Sequence, residues 1–507
     1  MLKRVISRFI AFAVFSIGGR LYINIKCNSS VDKRKPKDIC VIMAKRREKR
    51  GRRRQHRSHR KIQRIIDGAD FINYMPDDIL HHILSFIPTD LAMRTSVLSR
   101  RWRHVWCETP CLDIKLKHGE TNQTLTSYTA PIITSFKLVM DLNDNTVPQV
   151  DSWIEFALSR NVQNLSVFVR DFTYTKTYRF PDIFYISSSL KQLDVTLDFF
   201  DMIPTCAVSW KSLRNLTLRF CQIPDESMHN ILSGCPILES LTLDTCRLLE
   251  RLDLSKSPNL RRLDINRQYR RTGPIAIVAP HIYYLRLTYS STPSTIVDVS
   301  SLSEANLNII SDRLLSPLTA DRYQTMALEM LSKFHNVKRL TVGETILQIL
   351  SLAELRGVPF PTLKVQTLTV KTEFVRSVIP GISRLLQNSP GLKKLTLHTL
   401  QLSHDIMEMH PLKGLYPDQC WRSTCEVFPT SKEIYKMLGC NDATSKLVAS
   451  FMNLVLRNAK TLERMVVWLG GIYFNGDAPW FEEELFDMVE TLSHNNNVSI
   501  LLKQSNC

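Results

Sequence analysis

The chain has 507 residues, an apolar fraction of 44% and a formal charge of +18. That length exceeds one ordinary core and predicts two or more domains, and the apolar fraction is that of a globular protein rather than a disordered one. The charge excludes less than it first suggests. Residues 1–64 carry 21 Lys or Arg against Asp32, Asp38 and Glu48, which accounts for the whole +18, so the remaining chain sums to zero and gives no nucleic-acid signal. Twelve cysteines show no CxxC and no Cys/His cluster at zinc spacing, and are expected as buried free thiols.

Val5 to Ile17 is an apolar run interrupted by Arg8, too short to span a bilayer comfortably. It admits three readings: a signal or anchor, an Arg-containing organelle address, or untranslated sequence upstream of a start at Met43. Membrane association follows only if residues 1–42 are translated. Residues 45–64 (KRREKRGRRRQHRSHRKIQR) form a basic block with almost no apolar content, to be read as a nuclear-import signal, a loose phosphate binder or a solvated tail. No aromatic residue interleaves with these charges, so there is no stacking platform for single-stranded nucleic acid.

Residues 71–115 read as three short helices with more apolar surface than they can bury among themselves. Pro76 suits a helix start. Leu80, Ile83, Leu84 and Ile87 recur at helical spacing, and Pro88 ends the run. Thr89 and Asp90 are candidate caps for a second helix with Leu91, Met93 and Val97. Ser99 is a candidate cap for a third from Arg100 to Trp106, with Trp102, Val105 and Trp106 on one face.

From about residue 160 to 400 one phrase recurs: apolar, two variable, apolar, one variable, apolar. It runs Val162-Leu165-Val167, Leu190-Leu193-Val195, Leu213-Leu216-Leu218, Leu238-Leu241-Leu243, Leu249-Leu252-Leu254 and Leu260-Leu263-Ile265. It continues as Ile282-Leu285-Leu287, Val337-Leu340-Val342, Val365-Leu368-Val370 and Leu392-Leu395-Leu397. The gap before Leu340 holds a weakly marked unit at Ala305 and Leu307, and the crowded phrase at Leu252 belongs on the opposite wall of its coil. A period of 20 to 29 residues is the signature of leucine-rich repeats, in which one short strand per coil stacks into a parallel sheet. Asp225 to Leu232 reads as a helix closed by Gly234 and Pro236. The variable strand residues Thr217, Arg219, Thr242, Asp244, Asp253, Asp264, Asn266, Arg286 and Thr288 would then line a concave wall, where each either contacts a partner or is simply solvated.

The stretch Met75-Pro76-Asp77-Asp78-Ile79-Leu80, Ile83-Leu84-Ser85-Phe86-Ile87-Pro88 and Arg94-Thr95-Ser96-Val97-Leu98-Ser99-Arg100-Arg101-Trp102-Arg103 resembles the F-box in its plant form, departing from it at Met75, where Leu is commoner. Residues 421–507 resemble the FBD region that follows leucine-rich repeats in plant F-box proteins, through Leu447 to Phe451 and Leu454 to Val467; the phrase returns there as Leu462, Met465 and Val467. The expected fold class is therefore α/β: a short all-α F-box, then a leucine-rich-repeat solenoid with a derived C-terminal cap. The expected boundaries are 1–64 basic extension, 65–115 F-box, 116–400 solenoid, 401–440 connecting segment and 441–507 cap.

The F-box resemblance implies docking on the Skp-type adaptor of a cullin–RING ubiquitin ligase, with the repeats recruiting the protein to be ubiquitinated, in the nucleus and/or cytoplasm. It implies adaptor contacts at Pro76, Ile79, Leu80, Ile83, Leu84 and Trp102, the last partly serving the domain's own core. Target contacts are expected among Thr217, Arg219, Thr242, Asp244, Asp253, Asp264 and Arg286. The alternative is a repeat scaffold with no ligase role. No GxSxG, HExxH, GxxxxGK[ST] or GxGxxG motif occurs, and His81 and His82 have no nucleophile or ligand partner at useful spacing. A non-catalytic chain without metal or cofactor is expected, because in such a ligase the chemistry belongs to the conjugating enzyme's cysteine.

Overall fold

The computed structural model describes residues 76–97, 99–116, 126–141, 147–170, 178–267, 274–289, 294–309, 320–399, 428–429, 441–470 and 479–504. The basic block and the apolar run near the N-terminus lie outside them. The chain divides into two compact units, residues 1–141 with 152–163, and residues 142–151 with 164–507.

The first unit opens with α1 (Asp77–Leu84), α2 (Thr89–Arg94) and α3 (Trp102–Val105), with single 3₁₀ turns at Thr95–Val97 and Trp106–Glu108. Pro76 and Pro88 occupy the N-cap positions of α1 and α2, with Pro76 O and Pro88 O taking the first helical N–H groups. Thr89 is thus not a cap, as its residue type suggested. Ser99 Oγ does accept the Trp102 N–H, at 3.4 Å, but α3 starts two residues later than the pattern predicts. Beyond the helices, β1 (Cys111–Leu116) and β2 (Ser135–Asp141) pair in parallel, Leu112 beside Phe136 and Ile114 beside Leu138. Trp153 and Ile154 of α4 (Val147–Ser159) are buried, Trp153 with its ring 6.2 Å from that of Phe136.

In the second unit a long parallel sheet takes the order β3 (Asn164–Arg170), β4 (Gln192–Leu197), β5 (Asn215–Arg219), β6 (Ser240–Asp244), β8 (Arg262–Arg267), β10 (Tyr284–Tyr289) and β12 (Glu304–Ile309). It continues through β13 (Arg339–Gly343), β14 (Thr367–Lys371), β15 (Lys394–His398), β16 (Arg464–Leu469) and β17 (Ser499–Gln504). One residue per strand falls in a single register column: Leu165, Leu193, Leu216, Leu241, Leu263, Leu285, Ala305, Leu340, Leu368, Leu395, Met465 and Ile500. All are buried. This column is the middle residue of the repeated phrase, and each full Leu burial contributes about 1.5–3 kcal/mol that a lone coil could not realise. The weakly marked unit at Ala305 is indeed a strand, β12.

A second parallel sheet holds β7 (Arg251–Asp253), β9 (Ile275–Val278) and β11 (Ser294–Asp298) in the order β11-β9-β7. The crowded phrase at Leu252 therefore does leave the main sheet, because a strand eleven residues after Leu241 cannot complete another full coil. Helices fill the longer connections: α5 (Asp225–Ser233), α6 (Ala320–Lys333), α7 (Glu344–Leu355) and α8 (Ile379–Gln387). Gly234 ends α5, yet at φ −79 it is not the left-handed cap that glycine usually supplies. Its lack of a side chain matters for another reason, since a Cβ there would lie 2.4 Å from the Val208 carbonyl oxygen.

The C-terminal region continues the same architecture. Helix α9 (Asn441–Asn458) leads into β16 and α10 (Pro479–Asn496) into β17, both strands parallel to the rest. Of the six cysteines described as free, Cys107, Cys221, Cys235 and Cys246 are buried. Burial pushes the Cys221 thiol well up, and the Cys246 thiol donates to Leu218 O at 3.3 Å, so both are packing residues.

Candidate adaptor and target surfaces

The three short helices close around a core of their own. Leu80, Ile83 and Leu84 of α1 meet Ala92, Trp102, Val105, Trp106 and Cys107, with Ile87 and Met93 packed at the edge. Leu80 is 0% and Trp102 1% exposed. Four of the six residues expected to hold an adaptor, Leu80, Ile83, Leu84 and Trp102, thus present no surface to a partner, and their first role is to hold the helices together. Pro76 and Ile79 are exposed.

The outward apolar residues of this domain are Ile79, Phe86, Leu91 and Val97, with Phe86 65% and Val97 77% exposed. Ile79, His82 and Phe86 follow each other at the 3- and 4-residue steps of one helical stripe, opposite Leu80, Ile83 and Leu84, and the His82 and Phe86 rings meet edge-on at 5.0 Å. That stripe was present in the sequence; the inner stripe of four aliphatic residues outweighs it there. The charged rim is ordered too: Arg101 reaches Asp77 Oδ1 with Nε at 3.1 Å and Nη2 at 2.5 Å, joining the third helix to the start of the first. Large apolar residues standing clear of a closed core, rimmed by charge, are the form of a protein-docking face.

The residues expected on the repeat wall are only partly brought together. Thr217 and Arg219 of β5, Thr242 and Asp244 of β6, Asp264 and Asn266 of β8 and Arg286 of β10 do share the outward face of the long sheet, in adjacent register. Thr288, in the same row, is buried. Asp253 is elsewhere: it lies on β7 in the smaller sheet, where the Ser255 hydroxyl (2.6 Å) and N–H (3.1 Å) donate to it and hold its carboxyl below the usual range. The charges on the shared face are largely matched. Arg219 Nη1 reaches both Asp194 oxygens at 2.8 and 2.9 Å, and Arg286 lies 3.5 Å from Asp264. Burial raises the Asp264 carboxyl, and the nearby Arg286 and Arg262 offset part of that rise.

Among the described residues no group of His, Cys, Asp or Glu is arranged to hold a metal ion, and no helix is long and apolar enough to cross a membrane.

Two family models match the chain. The F-box domain model matches residues 72–112, over the three helices and the start of β1. The model described as "FBD-associated F-box protein At5g56370, LRR repeats" matches residues 150–397. The F-box/LRR-repeat protein At5g02700 of Arabidopsis thaliana is 93% identical over 465 residues, covering 92% of this chain and all of that protein. The chain belongs to the F-box/LRR-repeat family. A second member, F-box/LRR-repeat protein At5g02910 of the same plant, is 51% identical over 448 residues, 87% of this chain and 96% of its own length. The names of both relatives carry the two parts matched here, an F-box and leucine-rich repeats.

Proposed function

We propose that this chain is the non-catalytic, target-recognising subunit of a Skp–cullin–F-box ubiquitin ligase. The F-box holds the Skp-type adaptor, and through it the cullin, while the outward face of the repeat sheet holds the protein to be ubiquitinated. One observation carries the reading: the F-box helices complete a core of their own around Trp102 and still leave Ile79, Phe86, Leu91 and Val97 outside it. A small domain that closes its own apolar core gains nothing from four exposed large apolar side chains unless a partner covers them. Action in the nucleus and/or cytoplasm, where adaptor and cullin are found, belongs to the same proposal; the basic block at residues 45–64 suits nuclear import.

The test is co-expression of the chain with a plant Skp-type adaptor, followed by size-exclusion chromatography. A stoichiometric complex is expected, and it is expected to be lost in Phe86→Asp with Val97→Asp while the melting curve of the chain stays in place. Capture unaffected by these two changes would overturn the assignment of the face. Failure of the native chain to bind the adaptor at all would overturn the ligase reading and favour a repeat scaffold.

A further inference from the structure

The outward face of the long sheet changes character at β14. Upstream, Arg219 is ion-paired with Asp194, Arg286 with Asp264 and Arg339 with Glu304 at 2.6 Å. From β14 to β17 the outward strand positions hold no carboxylate. Lys371, Lys394, Arg464 and Lys503 all stand there exposed, and among the described residues none of them has an ion pair. Glu463, at the entry to β16, is already bound to Lys393 at 3.0 Å.

The four cations are ordered by the sheet rather than scattered. Lys371, His398, Trp468 and Lys503 are register partners across β14 to β17, and Lys394 and Arg464 are partners four residues earlier on β15 and β16. With strands about 4.8 Å apart and about 3.3 Å per residue along each, the cations frame an area of about 14 by 13 Å. An extended segment of four or five residues spans that distance. Trp468 is clamped in the row it shares with Lys371 and Lys503. The His398 ring lies flat against it, 5.7 Å away with 6° between planes, and Lys503 Nζ sits 4.7 Å from its centroid on the side of the next strand. Burial and the neighbouring Lys371 push the His398 imidazolium toward its neutral form, so the cationic charge rests on the lysines and the arginine.

The geometry points to a binding site for a short acidic peptide segment, held by Lys371, Lys394, Arg464 and Lys503 around Trp468. Charge complementarity names the occupant: four cations at strand-set spacing, none with an ion pair among the described residues, recognise carboxylates, and the edge of the indole adds apolar contact beside them. A nucleic acid fits the face less well, because base stacking needs a free aromatic face and both faces of Trp468 are covered. The site deepens the proposed target-recruiting role of the repeats and rests on it.

The test uses the full chain in complex with its adaptor and a fluorescein-labelled dodecapeptide alternating Glu with Leu, read by anisotropy. A peptide with Lys in place of Glu and a labelled oligothymidylate serve as comparisons. Binding of the acidic peptide alone is expected, weakening as salt is raised. Lys394→Glu with Arg464→Glu is expected to weaken it about tenfold or more, and so is Lys371→Glu with Lys503→Glu. Lys256→Glu, on an exposed residue beyond β7, should leave it unchanged. An intact adaptor complex that ignores the acidic peptide would overturn this site while sparing the ligase reading. Equal loss in Lys256→Glu, or tighter binding of the oligothymidylate, would also overturn it. Loss of adaptor capture with peptide binding intact would instead count against the ligase reading alone.

Discussion

Thr89 Oγ1 accepts the Asp113 N–H at 2.9 Å, tying the first residue of α2 to the middle of β1. The threonine is 5% exposed, so this hydrogen bond closes an edge of the strand that water reaches poorly. Thr89→Val keeps the shape and removes the acceptor, leaving a backbone donor without a partner. We expect a local cost of about 1–2 kcal/mol, seen as faster hydrogen exchange in peptides covering residues 111–116. Unchanged exchange there would show that the bond contributes nothing.

The inner and outer stripes of α1 should respond differently to truncation. Leu80→Ala opens a cavity in a closed core and is expected to cost about 2–5 kcal/mol. Phe86→Ala removes an exposed ring and should change stability by about 0.5 kcal/mol or less. Chemical denaturation followed by circular dichroism separates the two. If Phe86→Ala proved as destabilising as Leu80→Ala, the ring would belong to the core and not to a docking face.

Helices α7 and α8 approach closely enough that a side chain at Gly381 has no room. A Cβ there would stand 2.1 Å from Leu347 O and 2.8 Å from Ser351 Oγ, the atom that accepts the Gly381 N–H. Gly381→Ala is expected to lower stability by about 1–3 kcal/mol through this overlap. Gly391→Ala meets nothing within 4 Å and provides the control; its midpoint in urea should stay close to that of the native chain.

Glu344 supplies a pH signature. Part of its side chain still reaches solvent, but the protein packed around it pushes the carboxyl up to about 7, opposed by a hydrogen bond from the Glu373 N–H. A carboxyl that holds its proton more tightly folded than unfolded favours the folded state fully below its unfolded pKa. That contribution is lost as pH rises from about 4.5 to about 7. With solvent screening the effect is on the order of 1 kcal/mol. Glu344→Gln, which carries no charge, should flatten the fall in stability between pH 5 and pH 8 in thermal melts; an unchanged slope would remove Glu344 from the account.

Much of this molecule was written in its sequence. The phrase apolar-x-x-apolar-x-apolar announces its own fold, because two apolar residues two apart must share one face of a strand and a period of one coil must stack them. Leu216, Leu241 and Leu263 could be placed in one column before any coordinates, and even the weak unit at Ala305 and the displaced one at Leu252 followed from spacing alone. The Pro76 to Trp102 motif likewise identified the small helical domain. What sequence could not divide was the work of neighbouring apolar residues within that domain. Leu80 and Phe86 look equally suited to a partner in a linear chain, and only the closure of α1 against Trp102 and Trp106 decides which is core and which is surface. Charge behaves the same way. Arg219 and Lys394 are both outward residues of a repeat strand, yet Arg219 finds Asp194 on the adjacent coil while Lys394 finds no carboxylate among the described residues. Local pattern sets which face a side chain takes; its partner on that face comes from a coil some 25 residues away, and only the folded register brings the two together.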